Sequence, residues 1–281
     1  MSFMKEVDAE NILATIIIPP RPIILMQIQE AQEQEADLAD IAELISQDMS
    51  LSAAVLKTVN SAYYGLAVKV TSLKQAVALL GMKQISILVT SLSLRKISGN
   101  LDFDTFWNHS VEIAGTSVFI AQQLQGINVD DAQLFGLFHD CGKILLSQQL
   151  DGYQDTLHAA PGLGKSLSIL ERQRHGTEHA LAGALLSSAW CLPTAITVAI
   201  RHHHAISAFR DGHLSDESLS LLALHHLAEY LTKHNNDYCF NEWEIYADEF
   251  MEYLKITEND LMDIQVQAAE LLTHLGDLPK S

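Results

Sequence analysis

The sequence predicts an all-α protein built as an N-terminal helical lobe packed on a second helical bundle, and three observations carry that reading. Apolar residues recur at i, i+3, i+4 and i+7 in segment after segment, and no stretch alternates convincingly as a strand. Only 14 Gly and 6 Pro are spread over 281 residues, too few turn formers for a turn-rich β fold. Apolar residues make up 48 % against 19 % charged, which excludes a disordered chain, while 7 % aromatics leave a core of Leu, Ile, Val and Ala.

Taken in order, residues 1–20 lead in through NILATIIIPPRP as an extended arm, because Pro19, Pro20 and Pro22 stop a helix there. Leu38, Ile41, Ala42 and Ile45 then form one apolar helix face. Asp48 or Ser50 caps a helix carrying Leu51, Val55 and Val59, and NSAYYG breaks it. Ser72 and Gln75 make a capping box for SLKQAVALLG, Gly81 ends that helix, and QISILVTSLSLRK opens the next. The SGNLDFD stretch, 98–104, reads as a linker, so the chain is expected to divide near residue 100, with 1–100 and 101–281 as its two parts.

In the second part Asp104 is expected to cap a helix with Phe106, Ile113 and Ile120 on one side. Asn128 and Asp130 precede DAQLFGLFHDCGK, 151–165 reads as a polar loop, and Thr177 is expected to cap EHALAGALLSSAW. Pro193 suits a helix first turn ahead of TAITVAIRHHH, Ser215 and Asp216 open ESLSLLALHHLAEYLTKH, and Thr257 opens a last helix with Leu261, Ile264 and Leu271.

Charge excludes several classes of partner. Lys plus Arg is 17 against 35 Asp plus Glu, a net −18 that repels nucleic acid and anionic membranes as a whole. Residues 51–100 depart from this, with Lys57, Lys69, Lys74, Lys83, Arg95 and Lys96 and no acid, which suits docking on an acidic part of the chain or on an anionic partner. No apolar run approaches the ~18 residues of a membrane span, and the start MSFMKEVDAE is no signal peptide, so a cytoplasmic protein is expected. Cys141, Cys191 and Cys239 show no metal-finger spacing and read as reduced thiols.

The chemistry lies in the 13 histidines. His109 lies three residues after Phe106 and four before Ile113, so it points inward. His203 follows Ile196 by seven and Ile200 by three, and Glu229 stands in the same phase relative to Leu222 and His225. The pair His139–Asp140 follows the apolar LFGLF. One inward His is a packing residue, but several with carboxylates on separate helices are costly to bury unless they bond each other or a cation. Imidazole with carboxylate suits Fe, Mn, Zn or Ni rather than Ca.

This order of residues resembles the HD superfamily of metal-dependent phosphohydrolases, and more closely its HDOD subfamily of bacterial signalling modules. ELISQDMSLSAAVLKTVNSAYYG, TSLKQAVALLGMKQI, FWNHSVEIA, LFGLFHDCGKILL, E-x-x-x-x-G-x-x-HALAGALLSSAWCLP and AIRHHH carry the resemblance over roughly residues 15–275. It implies an HD-like helical bundle after the N-terminal lobe, and a transition metal, possibly as a dinuclear pair, held by His109, His139, Asp140, His179, His203, His204 and Glu229. Asp140 would bridge the two ions, and Lys143 stands where enzymatic relatives place a phosphate-binding lysine. Glu229 departs from the family's A-D-x-L, and the GYP motif of cyclic-di-GMP-cleaving relatives is missing. The implied function is therefore a signal-transduction module that binds a protein partner. The alternative is a metal-dependent phosphohydrolase acting on a nucleotide or other phosphate ester. His202 reads as a packing residue, and His225 and His226, one turn from Glu229, as helix-face residues or, for one of them, as a partner that orients that carboxylate; His158, His175, His213, His234 and His274 carry no signal, and Trp107 and Trp190 read as core. Asn60 and Tyr63 read as turn-fixing residues.

Overall fold

A computed structural model describes residues 16–98, 103–162, 166–210, 212–232 and 242–276, and the regular structure among them is entirely helical. By backbone proximity the chain divides into a unit of Pro20–Gly99 with Leu271–Ser281, and a unit of Met1–Pro19 with Asn100–Glu270.

In the first of these, α1 (Ile23–Glu33), α2 (Leu38–Ser46) and α3 (Met49–Val59) pack on the long α4 (Leu73–Ile97). Asp37 and Asp40 form a capping box at α2, and Asp48 caps α3 through Leu51 N at 3.0 Å. Ile41, Ile45, Val55 and Val59 are buried, as the helical spacing requires. Asn60 closes the loop after α3: its amide donates to Leu56 O and Val70 O and accepts from Val70 N, each at 2.8 Å. The Ser72 hydroxyl caps α4 through Gln75 N, but the Gln75 side chain returns to Thr71 N rather than to Ser72. As expected, Gly81, with φ 73° and ψ 174°, breaks the helical backbone, so α4 is two helices joined at a kink. Taken across that kink, α4 is long and apolar enough to cross a membrane by length and composition, contrary to the expectation that no such run exists. Its kink and its substantial burial against protein are those of a core helix. Lys96 pairs with Asp48 at 3.0 Å, so this cation of the basic stretch is balanced inside its own unit.

The second unit runs through α5 (Phe103–Gln123), α6 (Val129–Phe138), α7 (Cys141–Gln149), α8 (Tyr153–Gly162), α9 (Leu167–His175), α10 (His179–Ala189), α11 (Thr194–His202), α12 (Asp216–Thr232), α13 (Glu242–Leu254) and α14 (Glu258–Gly276), of which the residues from Leu271 on are assigned to the first unit. The arm ahead of it is tied down: Ile17 N and O bond the Gln149 side chain at 2.7 and 2.8 Å, and Trp190 Nε1 donates to Pro19 O at 3.1 Å. Asn128 caps α6, Ser215 accepts from Ser218 N, and Thr257 with Asp260 forms a capping box, as the sequence suggests.

Three local expectations need correction. Residues 153–162 form a helix, not a loop, because Tyr153, Thr156 and Ala160 share a buried face. Glu178, not Thr177, stands at the N-cap of α10, and the Thr177 hydroxyl is buried with no partner among the described residues. α5 begins at Phe103, one residue before the proposed cap Asp104. The capping side chain of Asp104, residues 99–102 of the linker, and His234, His274 and Cys239 lie outside what is described.

Two helix crossings in this unit are set by glycine. A Cβ on Gly136 would lie 2.6 Å from Ala114 Cα, so α5 and α6 touch backbone to backbone. A Cβ on Gly142 would overlap the His179 carbonyl oxygen and lie 2.6 Å from Gly183 N, so α7 and α10 do the same. These contacts fix the frame from which the histidines project.

Candidate metal centre

The His and carboxylate side chains meet where these crossings converge. His109 comes from α5, His139 and Asp140 from the turn between α6 and α7, Lys143 from the first turn of α7, and His179 from the start of α10. His203 and His204 follow α11, and Glu229 comes from α12. Asp140 is at the middle and buried. Its Oδ1 lies 3.3 Å from His179 Nε2 and 3.7 Å from His203 Nε2. Its Oδ2 lies 3.3 Å from His139 Nε2 and 4.0 Å from His109 Nε2, and the Lys143 ammonium pairs with the same oxygen. Glu229 Oε1 lies 3.2 Å from His109 Nε2 and 3.7 Å from His139 Nε2. His204 Nε2 and His203 Nε2 each lie 3.1 Å from His179 Nε2.

Hydrogen bonds to pure acceptors assign the ring protons. His139 Nδ1 donates to Gly136 O at 2.8 Å and His203 Nδ1 to Ile200 O at 2.7 Å, which leaves the lone pairs of both rings on Nε2, facing inward. His179 Nδ1 donates to Glu171 Oε2 at 2.7 Å, and its backbone N donates to the same oxygen at 3.1 Å. His139 Nε2 is buried with no hydrogen-bond partner and faces a carboxylate oxygen. Lone pairs converging on a carboxylate require a cation between them. In the metal-free chain a proton supplies part of this. Burial alone would lower His179, but Glu171 and Asp140 overcome it and lift the imidazole to about 9.

The remaining groups are polarised along the same lines. Burial opposes ionisation of Asp140, yet Lys143 and His139 hold it well below the usual carboxylate range. Burial likewise opposes Glu229, and His109 brings it to about 2. Burial lowers His203 and His204 despite the opposing pull of Asp140, so both stay neutral.

The donor spacing fits metal ions. With ligand bonds of about 2.1 Å, two donors on one ion stand roughly 3.0 Å apart at right angles and roughly 4.2 Å apart when opposite. The separations above span 3.1 to 4.0 Å. Two groups of donors share Asp140: His179, His203 and His204 on one side, His109 and His139 on the other.

All eight residues singled out in the sequence therefore lie in one cluster. Other expectations fare differently. Trp190 is buried, whereas Trp107 is only half-buried, and His158 and His213 are exposed. His175 is not idle, since its Nε2 bonds the Thr156 hydroxyl at 2.7 Å. His225 and His226 are buried. Sequence reasoning missed Glu171 and Tyr153. Glu171 is wholly buried, holds His179, and accepts a hydrogen bond from the Tyr153 hydroxyl. The only signal was its place eight residues before His179 in the E-x-x-x-x-G-x-x-H pattern.

The model of the HDOD domain matches residues 18–206. The chain belongs to the HDOD family. Glu229 lies beyond the matched HDOD residues, while the other seven site residues lie within them. Among solved structures, an HDOD domain protein of unknown function from Geobacter sulfurreducens is similar with TM-score 0.76 at 20 % identity, over 98 % of this chain and 97 % of that one. A Marinobacter aquaeolei VT8 protein provisionally named a signal transduction protein gives TM-score 0.74 at 19 % identity, over 97 % of this chain and 63 % of that one. A Shewanella amazonensis SB2B protein provisionally named a metal-dependent phosphohydrolase gives 0.64 at 20 % identity, over 97 % and 98 %. At these identities the likeness shows the all-α HDOD fold. An uncharacterised Treponema pallidum protein is 28 % identical over 196 residues, 66 % of this chain and 37 % of that protein. Bacillus subtilis YuxH, also uncharacterised, is 32 % identical over 71 residues, 25 % of this chain and 17 % of its own length. The chain thus spans well under half the length of these curated relatives.

Proposed function

We propose that this chain is an HDOD signal-transduction module whose second unit holds a two-position transition-metal centre, and that its helical surface binds a protein partner. The observation that carries the metal reading is the Asp140 carboxylate, each of whose oxygens faces a separate group of imidazole nitrogens. One position would take Asp140 with His179, His203 and His204; the other would take Asp140 with His109 and His139, and Glu229 stands beside His109 to complete it. Imidazole with carboxylate selects Fe, Mn, Zn or Ni. The signalling role is supported by family membership and by the provisional name of the Marinobacter relative. Elemental analysis of protein purified without chelator or nickel resin tests the centre. Wild type is expected to carry about two ions per chain and the His139→Ala, Asp140→Ala double variant to lose them. Equal metal in both places the ions elsewhere.

A second reading, hydrolysis of a nucleotide or other phosphate ester, is favoured by Lys143, whose part-exposed ammonium stands beside Asp140. Bound metal would supply an activated water and charge neutralisation for such a reaction. Lys143 would bind the phosphate, and Asp140 would hold its ammonium in place. Phosphate release from a panel of esters by the metal-loaded protein, lost in Lys143→Ala, is the expected result if the site turns over. No release from any ester by fully loaded protein leaves the signalling reading alone.

A further inference from the structure

We propose that His225 is an additional metal ligand, completing the Glu229 side of the centre; this rests on the metal reading above. His225 lies one turn before Glu229 on α12, so an i, i+4 pair presents both side chains on one face. It is buried at 2 % exposure. Its Nε2 stands 4.0 Å from Glu229 Oε1, and its ring centroid lies 4.7 Å from that of His139 and 5.8 Å from that of His203. The side chains of His139, His225 and Glu229 offer three donor atoms mutually close enough for one ion.

What packing alone leaves unexplained is the polarity of this side chain. Among the described residues neither ring nitrogen of His225 makes a hydrogen bond, and Nδ1 is wholly buried without a partner. Its other neighbours are rings: Phe135 at 5.2 Å and His226 at 5.7 Å between centroids. A phenylalanine would fill such a place without the cost of burying an unpaired nitrogen. The histidine is accounted for if Nδ1 keeps the proton beside Phe135 and the Nε2 lone pair binds an ion shared with Glu229. The separation of 4.0 Å lies within the span of two donors on one ion, between the right-angle and opposite arrangements. His139 belongs to both this group and the one with His109 and Asp140, and through that shared residue His225 is assigned to the second position rather than to a third. That position then has three imidazoles and two carboxylate oxygens, a set that favours Fe, Ni or Zn over Mg or Ca.

Cobalt(II) is the probe. Titration of metal-free protein with Co2+ is expected to fill two positions in wild type. In His225→Phe one is expected to keep its affinity and the other to weaken by about tenfold or more. His225→Gln, smaller and polar, guards against a packing defect in the first variant and is expected to show the same selective loss. Thermal melting of the metal-free variants checks that each folds. In proton NMR of the Co2+-loaded wild type, the buried Nδ1–H of His225 should appear as a strongly shifted, slowly exchanging signal that both variants lack. Two positions filled with wild-type affinity in both variants, with every shifted signal retained, overturn the proposal and leave the metal centre standing. No uptake of Co2+ by wild type overturns the metal centre itself and this ligand with it.

Discussion

Glu171 is the residue on which His179 depends most directly. Its carboxylate takes the Nδ1 proton and the backbone N–H of His179 on one oxygen and the Tyr153 hydroxyl on the other. A carboxylate behind a ligating imidazole fixes its tautomer and raises its basicity. Glu171→Gln is therefore expected to weaken metal binding by about 10- to 100-fold while the chain stays folded. Competition against a chelator of known affinity measures this. The same pair predicts a pH dependence. His179 lies near 9 in the metal-free state, raised above its ordinary value, so at neutral pH it carries a proton that an ion must displace. Affinity should rise with pH, by about tenfold per unit below 9, and level off above it. Calorimetry in buffers of different ionisation enthalpy should detect about one proton released per ion bound at that position at pH 7.

Among the elements, the crossing of α7 on α10 is the most constrained. Gly142 rests on the carbonyl of His179, and any side chain there must separate the two helices. Gly142→Ala is expected to cost about 3 kcal/mol or more, at the upper end of overpacking, and to displace His179 from Asp140. Gly81→Ala provides the contrast: nothing lies within 4 Å, so the cost is backbone strain alone, about 1–3 kcal/mol in a region open essentially to glycine, with no neighbour displaced. Urea unfolding of the two variants checks the difference. Most of these elements were legible from spacing, because Ile41, Val55, Ile113 and Ile120 obey the helical period and are buried. The inward phase of His109, His203 and Glu229 was legible for the same reason. The α8 helix was not, since Gly152, Pro161 and several polar residues mask a buried face of only Tyr153, Thr156 and Ala160. The Glu171–His179 bond and the burial of His225 depend on tertiary packing, which no local period encodes.

For the whole molecule, net charge and ion binding set the expected behaviour. A chain at −18 should show no retention on heparin and no binding to anionic vesicles at physiological salt, as flow-through and sedimentation assays would show. Divalent ions that bind only the folded state stabilise it, by about 2.7 kcal/mol per site at a hundredfold excess over Kd. Wild type should therefore melt at a higher temperature with Mn or Zn than with a chelator, and His139→Ala with Asp140→Ala should melt alike in both.

The contact between Gly142 and His179 uses the carbonyl of His179, while ion binding uses its imidazole. The architecture and the chemistry of that position are thus carried by different atoms of one residue. Replacing the ring would erase a ligand without touching the backbone contact between the helices. A descendant of this chain could lose these ligands one side chain at a time and keep its fold, so inheritance of the fold and inheritance of the metal site are separable.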